Sequence, residues 1–279
     1  MTLCVGALDD HYLARGRPLG QARLLWEIGV GGSEVRRLRA RLGLDSGYLS
    51  RLLRSLEADG LVEVTEKDDD RRVRTARLTA AGRAEREVLD RGSDQLARSF
   101  LEPLSETRRE RLVAAMAEVE RLLTAALVEI DEVDPGRPEA QLCLNEYVLE
   151  LGRRFERGFD PALSISAGLD ELRPPAGAFM LATLRGDPVG CGALKFHGDQ
   201  PAELKRMWVA ESARGLGIGR LLLEGLERRA AAEGVRLVRL ETNETLAEAI
   251  ALYRSAGYVE VDAFNDEPYA HHWFEKRLR

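Results

Sequence analysis

The residues with the most chemical potential lie between Glu203 and Leu223, which read ELKRMWVAESARGLGIGRLLL. Arg214 is followed by Gly215, Gly217 and Gly219, alternating with Leu216 and Ile218. Glycines at a helix start let the backbone approach a ligand closely, and the free N–H groups at the positive end of the helix dipole favour an anion. This stretch therefore predicts a phosphate or pyrophosphate site. It is too short for a P-loop and has no Lys-Ser/Thr pair. Its third-glycine spacing departs from a dinucleotide fingerprint, although Glu233 and Glu241 lie loosely where the acidic partner would fall. Other groups could move protons. Glu203 is a candidate base, with Lys205 near enough to lower its pKa. Tyr253 carries a phenol, whose ordinary pKa is about 10. His197, His271 and His272 are second-choice bases, since a lone histidine is more often structural.

These groups need elements to hold them. Glu203, Lys205, Met207 and Val209 alternate with Leu204, Arg206 and Trp208, the period of a strand, so Glu203 and Met207 are expected on one face. Leu221, Leu222, Leu223 and Leu226 continue at helical spacing over 217–233. A helix from 139 towards Gly158, with Leu142, Leu144, Val148, Leu149, Leu151 and Phe155, precedes strands at 178–184 and 189–195. Strand 235–241, helix 245–256 and strands at 258–261 and 270–278 follow the glycine turn. Asn243 sits where it could cap helix 245–256. The order is that of an α+β layer with a mixed, mostly antiparallel sheet. Residues 130–139, IDEVDPGRPE, are acidic with clustered Pro and Gly and read as the linker, dividing the chain into 1–134 and 135–279.

The first half is mainly helical. Residues 8–28 form a helix broken near Gly16–Pro18, whose second part turns Leu24, Leu25 and Ile28 inward. Ser33 is the expected N-cap of a helix ending at Gly43. Asp45 or Ser46 caps a second, with Leu49, Leu52, Leu53 and Leu56 on one face and Gly60 at its end. Ser46, Gly47, Tyr48, Ser50, Arg51 and Arg54 fall away from the leucine face, as in a helix that enters a major groove. Residues 61–79 make a hairpin around Asp68–Arg71, from which Arg71, Arg72 and Arg74 could reach phosphates or a minor groove. Helices follow at 83–101 and 106–130. The second has Leu112, Met116, Val119, Leu122, Leu123, Leu127 and Ile130, more apolar surface than a small domain needs for itself.

Composition narrows the field. The 279-residue chain has a net charge of −6. Residues 1–134 hold 22 basic and 25 acidic side chains and the remainder 19 and 22, so each half carries −3. A global basic field is absent, and a nucleic-acid surface must be local; residues 33–77 count 11 basic against 9 acidic. Three scattered cysteines without C-x-x-C argue against a disulfide framework or a metal site and fit a reducing cytoplasm. No apolar run suits a membrane span.

Two resemblances give these patterns owners. Arg214, Gly217 and Gly219 match motif A of the GNAT acyltransferases, [Q/R]-x-x-G-x-[G/A], and Leu252-Tyr253 with Gly257-Tyr258 resembles their L-Y-x-x-x-G-[FY] signature. The likeness covers roughly 139–279. It implies that Arg214, Gly215, Gly217, Ile218 and Gly219 cradle the pyrophosphate of acetyl-CoA. It also implies that the Met207 N–H holds the thioester carbonyl, Val209 contacts the pantetheine, Asn243 contacts CoA, Glu203 is general base and Tyr253 protonates the leaving sulfur. Asn265, Glu267, Tyr269 and Trp273 fall at the acceptor end. Leu56–Val62, Asp70-x-Arg72 and Leu78-Thr79-x-x-Gly82 resemble the winged helix-turn-helix of MarR transcription regulators, over roughly 20–130. That likeness implies double-stranded DNA as partner, Asp70 and Arg72 bracing the wing tip, and a homodimer through the flanking helices, although the first of these looks short. The expectation is a cytoplasmic regulator fused to an N-acetyltransferase for a primary amine, with no metal and no membrane. The alternative is a DNA-binding regulator whose GNAT fold only senses an acyl-CoA or ligand.

Overall fold

The computed structural model describes residues 17–67, 70–165 and 167–278, with no side-chain description for Lys67 and residues 70–72. The expected helix over 8–16, the Asp68–Asp69 tip, the Asp70–Arg72 brace and the placement of the Arg71 and Arg72 side chains lie outside the described residues. The chain divides into two compact units, Met1–Ala117 and Glu118–Arg279.

The first unit contains α1 (Leu19–Ile28), β1 (Ser33–Glu34), α2 (Val35–Leu42), α3 (Ser46–Ala58), β2 (Val62–Lys67), β3 (Asp70–Leu78), α4 (Ala80–Leu101) and the first part of α5 (Glu106–Ala125). Leu24, Leu25 and Ile28 of α1 meet Leu49, Leu52, Leu53 and Leu56 of α3 in one core. Full burial of such a side chain contributes about 1.5–3 kcal/mol. The Asp45 carboxylate accepts a hydrogen bond from the Tyr48 N–H at 2.9 Å and so caps α3. Gly43 closes α2 in the left-handed region, φ 62°. Ser33 is not the expected cap of α2: it pairs with Ala76 as part of β1, and Glu34 takes the cap position without a side-chain bond. The three strands line up as β1-β3-β2, a small wing behind α3.

The second unit is built on a seven-stranded sheet, ordered β4-β5-β6-β7-β8-β10-β9. Its elements are β4 (Val128–Glu132), α6 (Pro138–Arg154), β5 (Gly177–Leu184), β6 (Asp187–His197), β7 (Gln200–Val209), α7 (Ile218–Ala232), β8 (Leu237–Thr242), α8 (Ala247–Ser255), β9 (Val259–Val261) and β10 (His272–Arg277). All pairings are antiparallel except β7 with β8. One face packs on α7, through Leu222, Leu223 and Leu226 against Leu194, Leu204, Val238 and Phe274. The other carries α6, with Ala140 and Cys143 against Phe179, Cys191 and Ala193.

Two expectations change here. The helix expected to run to residue 130 ends at Ala125, and 128–132, read as helix end and linker, is strand β4 paired with β5 from Val128↔Leu184 to Glu132↔Met180. It is an edge strand: Val128 and Ile130 pack on the α7-side core while Glu129 and Asp131 face outward. The boundary at 134/135 would therefore sever a strand from its sheet. On α6 the inward residues are Ala140, Cys143 and Leu151, whereas Leu142 and Leu149 are exposed.

Candidate functional site

The candidate site of the second unit begins where two strands part. The parallel pairing of β7 with β8 covers only Ala202↔Val238 and Glu203↔Arg239. Beyond it β7 also bulges against β6: Cys191 pairs with Trp208 and Ala193 with Lys205, so Gly192 faces two residues, Arg206 and Met207. Arg206 takes φ 58°, the left-handed region that a non-glycine residue seldom adopts. A Cβ on Gly192 would come within 2.5 Å of the Met207 sulfur. The inserted residue shifts the alternation. Glu203 and Lys205 lie on the α6 face, while Met207 and Val209 pack towards the α7 core. The expected common face for Glu203 and Met207 is thereby corrected.

Two adjoining cavities fill the opening. Tyr147 and Leu151 of α6, Met207, Leu246, Ala249 and Tyr253 line both. One cavity runs along Trp208, Val209, Arg214, Gly215, Gly217, Ile218 and Gly219. Gly215 and Gly217 have φ of 82° and 80°, and nothing lies within 4 Å of a Cβ built on either. Among the described residues, the N–H groups of 215–219 have no hydrogen-bond acceptor. They open α7 as a row of free donors.

Arg214 is already engaged. Its Nη2 lies 2.6 Å from both oxygens of Glu150, and its Nε donates to the Val209 carbonyl at 3.1 Å. Burial disfavours the charge on Glu150, but Arg214, the Trp208 indole N–H and Arg154 outweigh it and hold the carboxyl below its usual pKa. Glu150 and Arg154 were not singled out in the sequence. They lie on a helix more than 50 residues away, and no local motif marks them.

The second cavity is bounded by Phe155, Phe159, Tyr269, Lys205, Arg206, Glu241 and Glu267. Glu203, the expected base, lines neither cavity. Its carboxylate is 6% exposed and sits 2.7 Å from Arg239 and 3.2 Å from Lys205, which also pairs with Glu241. Burial would raise the Glu203 carboxyl, but the Lys205 and Arg239 charges hold it below the carboxylate range. A carboxylate so placed is a poor proton acceptor. His197, 3.5 Å from Glu203, also lines neither cavity, nor do His271 and His272.

Tyr253 stands where the cavities meet. Its hydroxyl has no hydrogen-bond partner among the described residues, and burial pushes its pKa well above that of an ordinary phenol, so the proton stays on the oxygen. Asn243 lines the second cavity, not the one along the glycine turn. Its Nδ2 donates to the Tyr269 carbonyl at 2.7 Å, and its Oδ1 accepts from the Thr245 N–H and hydroxyl. Both ends of the amide are thus used in holding the β8–α8 turn. Glu267 and Tyr269 line the cavity as their position suggested, whereas Asn265 and Trp273 bond each other outside it.

In the first unit, Ser46, Gly47, Tyr48, Arg51 and Arg54 are exposed along α3 and Ser50 is half-buried. The Arg51 guanidinium sits 5.7 Å from the Tyr48 ring centroid, and Arg54 Nε donates to the Ser50 carbonyl. Arg74 is exposed on the wing. Among the described residues, Arg51, Arg54 and Arg74 have no carboxylate partner. Leu112, Val113, Met116, Leu122 and Leu123 of α5 are all exposed.

Comparison with known proteins agrees with these two architectures. Residues 144–258 match the model of the Acetyltransferase (GNAT) family, and residues 15–73 that of the MarR family. One chain thus carries a segment matching the MarR family and a second matching the GNAT family. An IAA acetyltransferase of Azospirillum brasilense is 41% identical over 97 residues, 34% of this chain and 63% of that protein. An uncharacterised N-acetyltransferase of Schizosaccharomyces pombe is 29% identical over 132 residues, 46% of this chain and 79% of its own length. A GNAT-family acetyltransferase structure from Staphylococcus aureus is 20% identical with a TM-score of 0.47, covering 55% of this chain and 99% of that one. The chain therefore spans less than two thirds of the first of these relatives.

Proposed function

We propose that the second unit binds acetyl-CoA along the glycine turn and transfers the acetyl group to a primary amine held in the adjoining cavity. The observation that carries this is the row of unpaired N–H groups at 215–219, opening into a cavity that continues past the Tyr253 hydroxyl. The fit to CoA is good: the open left-handed glycines let a pyrophosphate approach the backbone, and apolar Val209, Ile218 and Leu252 suit a pantetheine arm. Acetyl-CoA supplies an activated acyl group. The residues of this chain do the rest. Gly215, Gly217, Ile218 and Gly219 hold the diphosphate, and Arg214 joins them by exchanging Glu150 for phosphate. The Met207 N–H, freed from β8 by the splay, polarises the acyl oxygen. The amine enters neutral and attacks the thioester carbonyl; as the C–S bond breaks, Tyr253 gives its proton to the departing sulfur and regains one from the amine nitrogen, directly or through water. Glu203 acts by holding Lys205 and Arg239 rather than by taking a proton.

The first unit binds double-stranded DNA through α3, with Ser46, Gly47, Tyr48, Ser50, Arg51 and Arg54 in the major groove and the wing arginines, Arg71, Arg72 and Arg74, on the backbone. The apolar side of α5 is covered by a second copy, giving a homodimer that spaces two reading helices. No helix among the described residues is long and apolar enough to cross a membrane. We place the protein in the cytoplasm, where DNA and acetyl-CoA are both at hand. Calorimetry with acetyl-CoA and an acetylation assay over a panel of amines test the enzyme reading. Binding at micromolar acetyl-CoA without turnover of any amine would leave the ligand-sensor alternative in its place, and no binding would reject both.

A further inference from the structure

We infer that the acceptor carries a carboxylate as well as its amine, and that Arg206 binds that carboxylate. The inference rests on the acetyltransferase reading and narrows its substrate to amino-acid-like amines with an apolar side chain.

Four charged side chains line the acceptor cavity: Lys205, Arg206, Glu241 and Glu267. Three are committed within the protein. Lys205 is 9% exposed and bridges Glu241 and Glu203. Glu267 is 8% exposed and accepts from the Ile165 N–H at 2.6 Å, the Ser164 hydroxyl at 3.0 Å and the Tyr269 N–H at 3.3 Å. It ties the 164–165 segment to the loop before β10 and has little left for a ligand. Arg206 is different. Among the described residues it has no carboxylate or hydrogen-bond partner for its guanidinium, which lies 5.5 Å from the Tyr147 ring centroid.

Tyr147 lines both cavities, so this unpaired cation stands beside the route from acceptor to donor. A guanidinium offers a planar fork that matches a carboxylate, and a single such group matches one negative charge better than a phosphate dianion. The backbone strain at Arg206 is spent at this position, where the bulge turns the side chain into the cavity. The same cavity is lined by Phe155, Phe159 and Tyr269, an aromatic group with ring centroids 4.9–5.8 Å apart. That wall suits an aromatic or large aliphatic side chain. A polyamine or an aminoglycoside, all cation and no carboxylate, would leave Arg206 facing like charge.

The test uses matched acceptors on the full-length chain loaded with CoA: L-phenylalanine against L-phenylalaninamide, and L-leucine against L-leucinamide. Calorimetry should show the acid of at least one pair binding 10- to 100-fold more tightly than its amide. Arg206→Asn, a residue that tolerates φ near 58°, should abolish that preference while the amide Kd stays within about threefold. Arg206→Lys should retain part of it. Where turnover is measurable, Arg206→Asn should raise KM for the acid and leave kcat within about threefold. A thermal melt of each variant checks folding. Equal binding of acid and amide, no binding of either pair, or equal weakening of both by Arg206→Asn overturns the inference. Acetyl-CoA is titrated separately. If it fails to bind, the acetyltransferase reading itself fails; if it binds and the acid preference is absent, only the acceptor assignment falls.

Discussion

Removing one oxygen from Tyr253 separates chemistry from folding in this site. The side chain is 5% exposed and its ring packs on Tyr258 and Phe274 with centroids 5.8 and 6.1 Å away. The hydroxyl has no protein partner, so Tyr253→Phe breaks no hydrogen bond and keeps the ring contacts. The hydroxyl opens on the cavities and is not an unpaired buried group, so its removal neither strands a partner nor relieves one, and thermal stability should hold. If the phenol protonates the departing sulfur, kcat should fall about 10²- to 10⁴-fold, with KM for acetyl-CoA little changed. Burial raises the phenol pKa, so in the wild type the proton should be retained through pH 9 and kcat should not fall there from loss of this group. Steady-state kinetics from pH 6 to 9.5, beside melting curves, make the comparison. A variant with wild-type kcat at every pH refutes the assigned role. A variant that loses activity together with stability refutes the structural premise.

Other outcomes follow from the same geometry. Gly217→Ala, at φ 80° with no atom within 4 Å of the added methyl, should cost about 1–2 kcal/mol of stability from backbone strain alone. It should weaken acetyl-CoA at least tenfold, read by calorimetry. Glu203 has a lowered folded pKa, so its contribution to stability is present above the unfolded carboxylate pKa and lost as pH falls through the folded one. Glu203→Gln should therefore flatten the acid limb of the melting-temperature profile below pH 5 and change activity at pH 7.5 less than Tyr253→Phe does. Arg51→Ala with Arg54→Ala should weaken operator binding and, if both touch phosphates, reduce the salt slope by about 1.8. Leu122→Glu should shift the species seen by light scattering towards monomer; an unchanged mass would remove α5 from the dimer.

The sequence showed most where local rules dominate. The leucine faces of α1 and α3, the Asp45 cap and the glycine turn follow from periodicity and backbone freedom, and they stand where those rules put them. β4 was hidden because an edge strand of five residues with three acidic side chains imitates a solvated linker. The placement of Glu203 outside both cavities was not legible, because its environment comes from β8, through Arg239 and Glu241, which no local pattern announces. The Glu150–Arg214 pair was out of reach for the same reason, joining residues 64 positions apart.

The bulge at Arg206 splits β7 into two reading frames. Residues 202–205 keep one parity of inside and outside, and 207–209 keep the other. The strand therefore tolerates a change of residue type far better than a change of length. Deleting a residue on either side of the bulge would put the side chains beyond it on the wrong face, whereas deleting Arg206 itself would restore simple alternation and leave Met207 and Val209 towards the α7 core. A period-2 reading carried past Lys205 puts Met207, Trp208 and Val209 each on the face opposite to the one it takes.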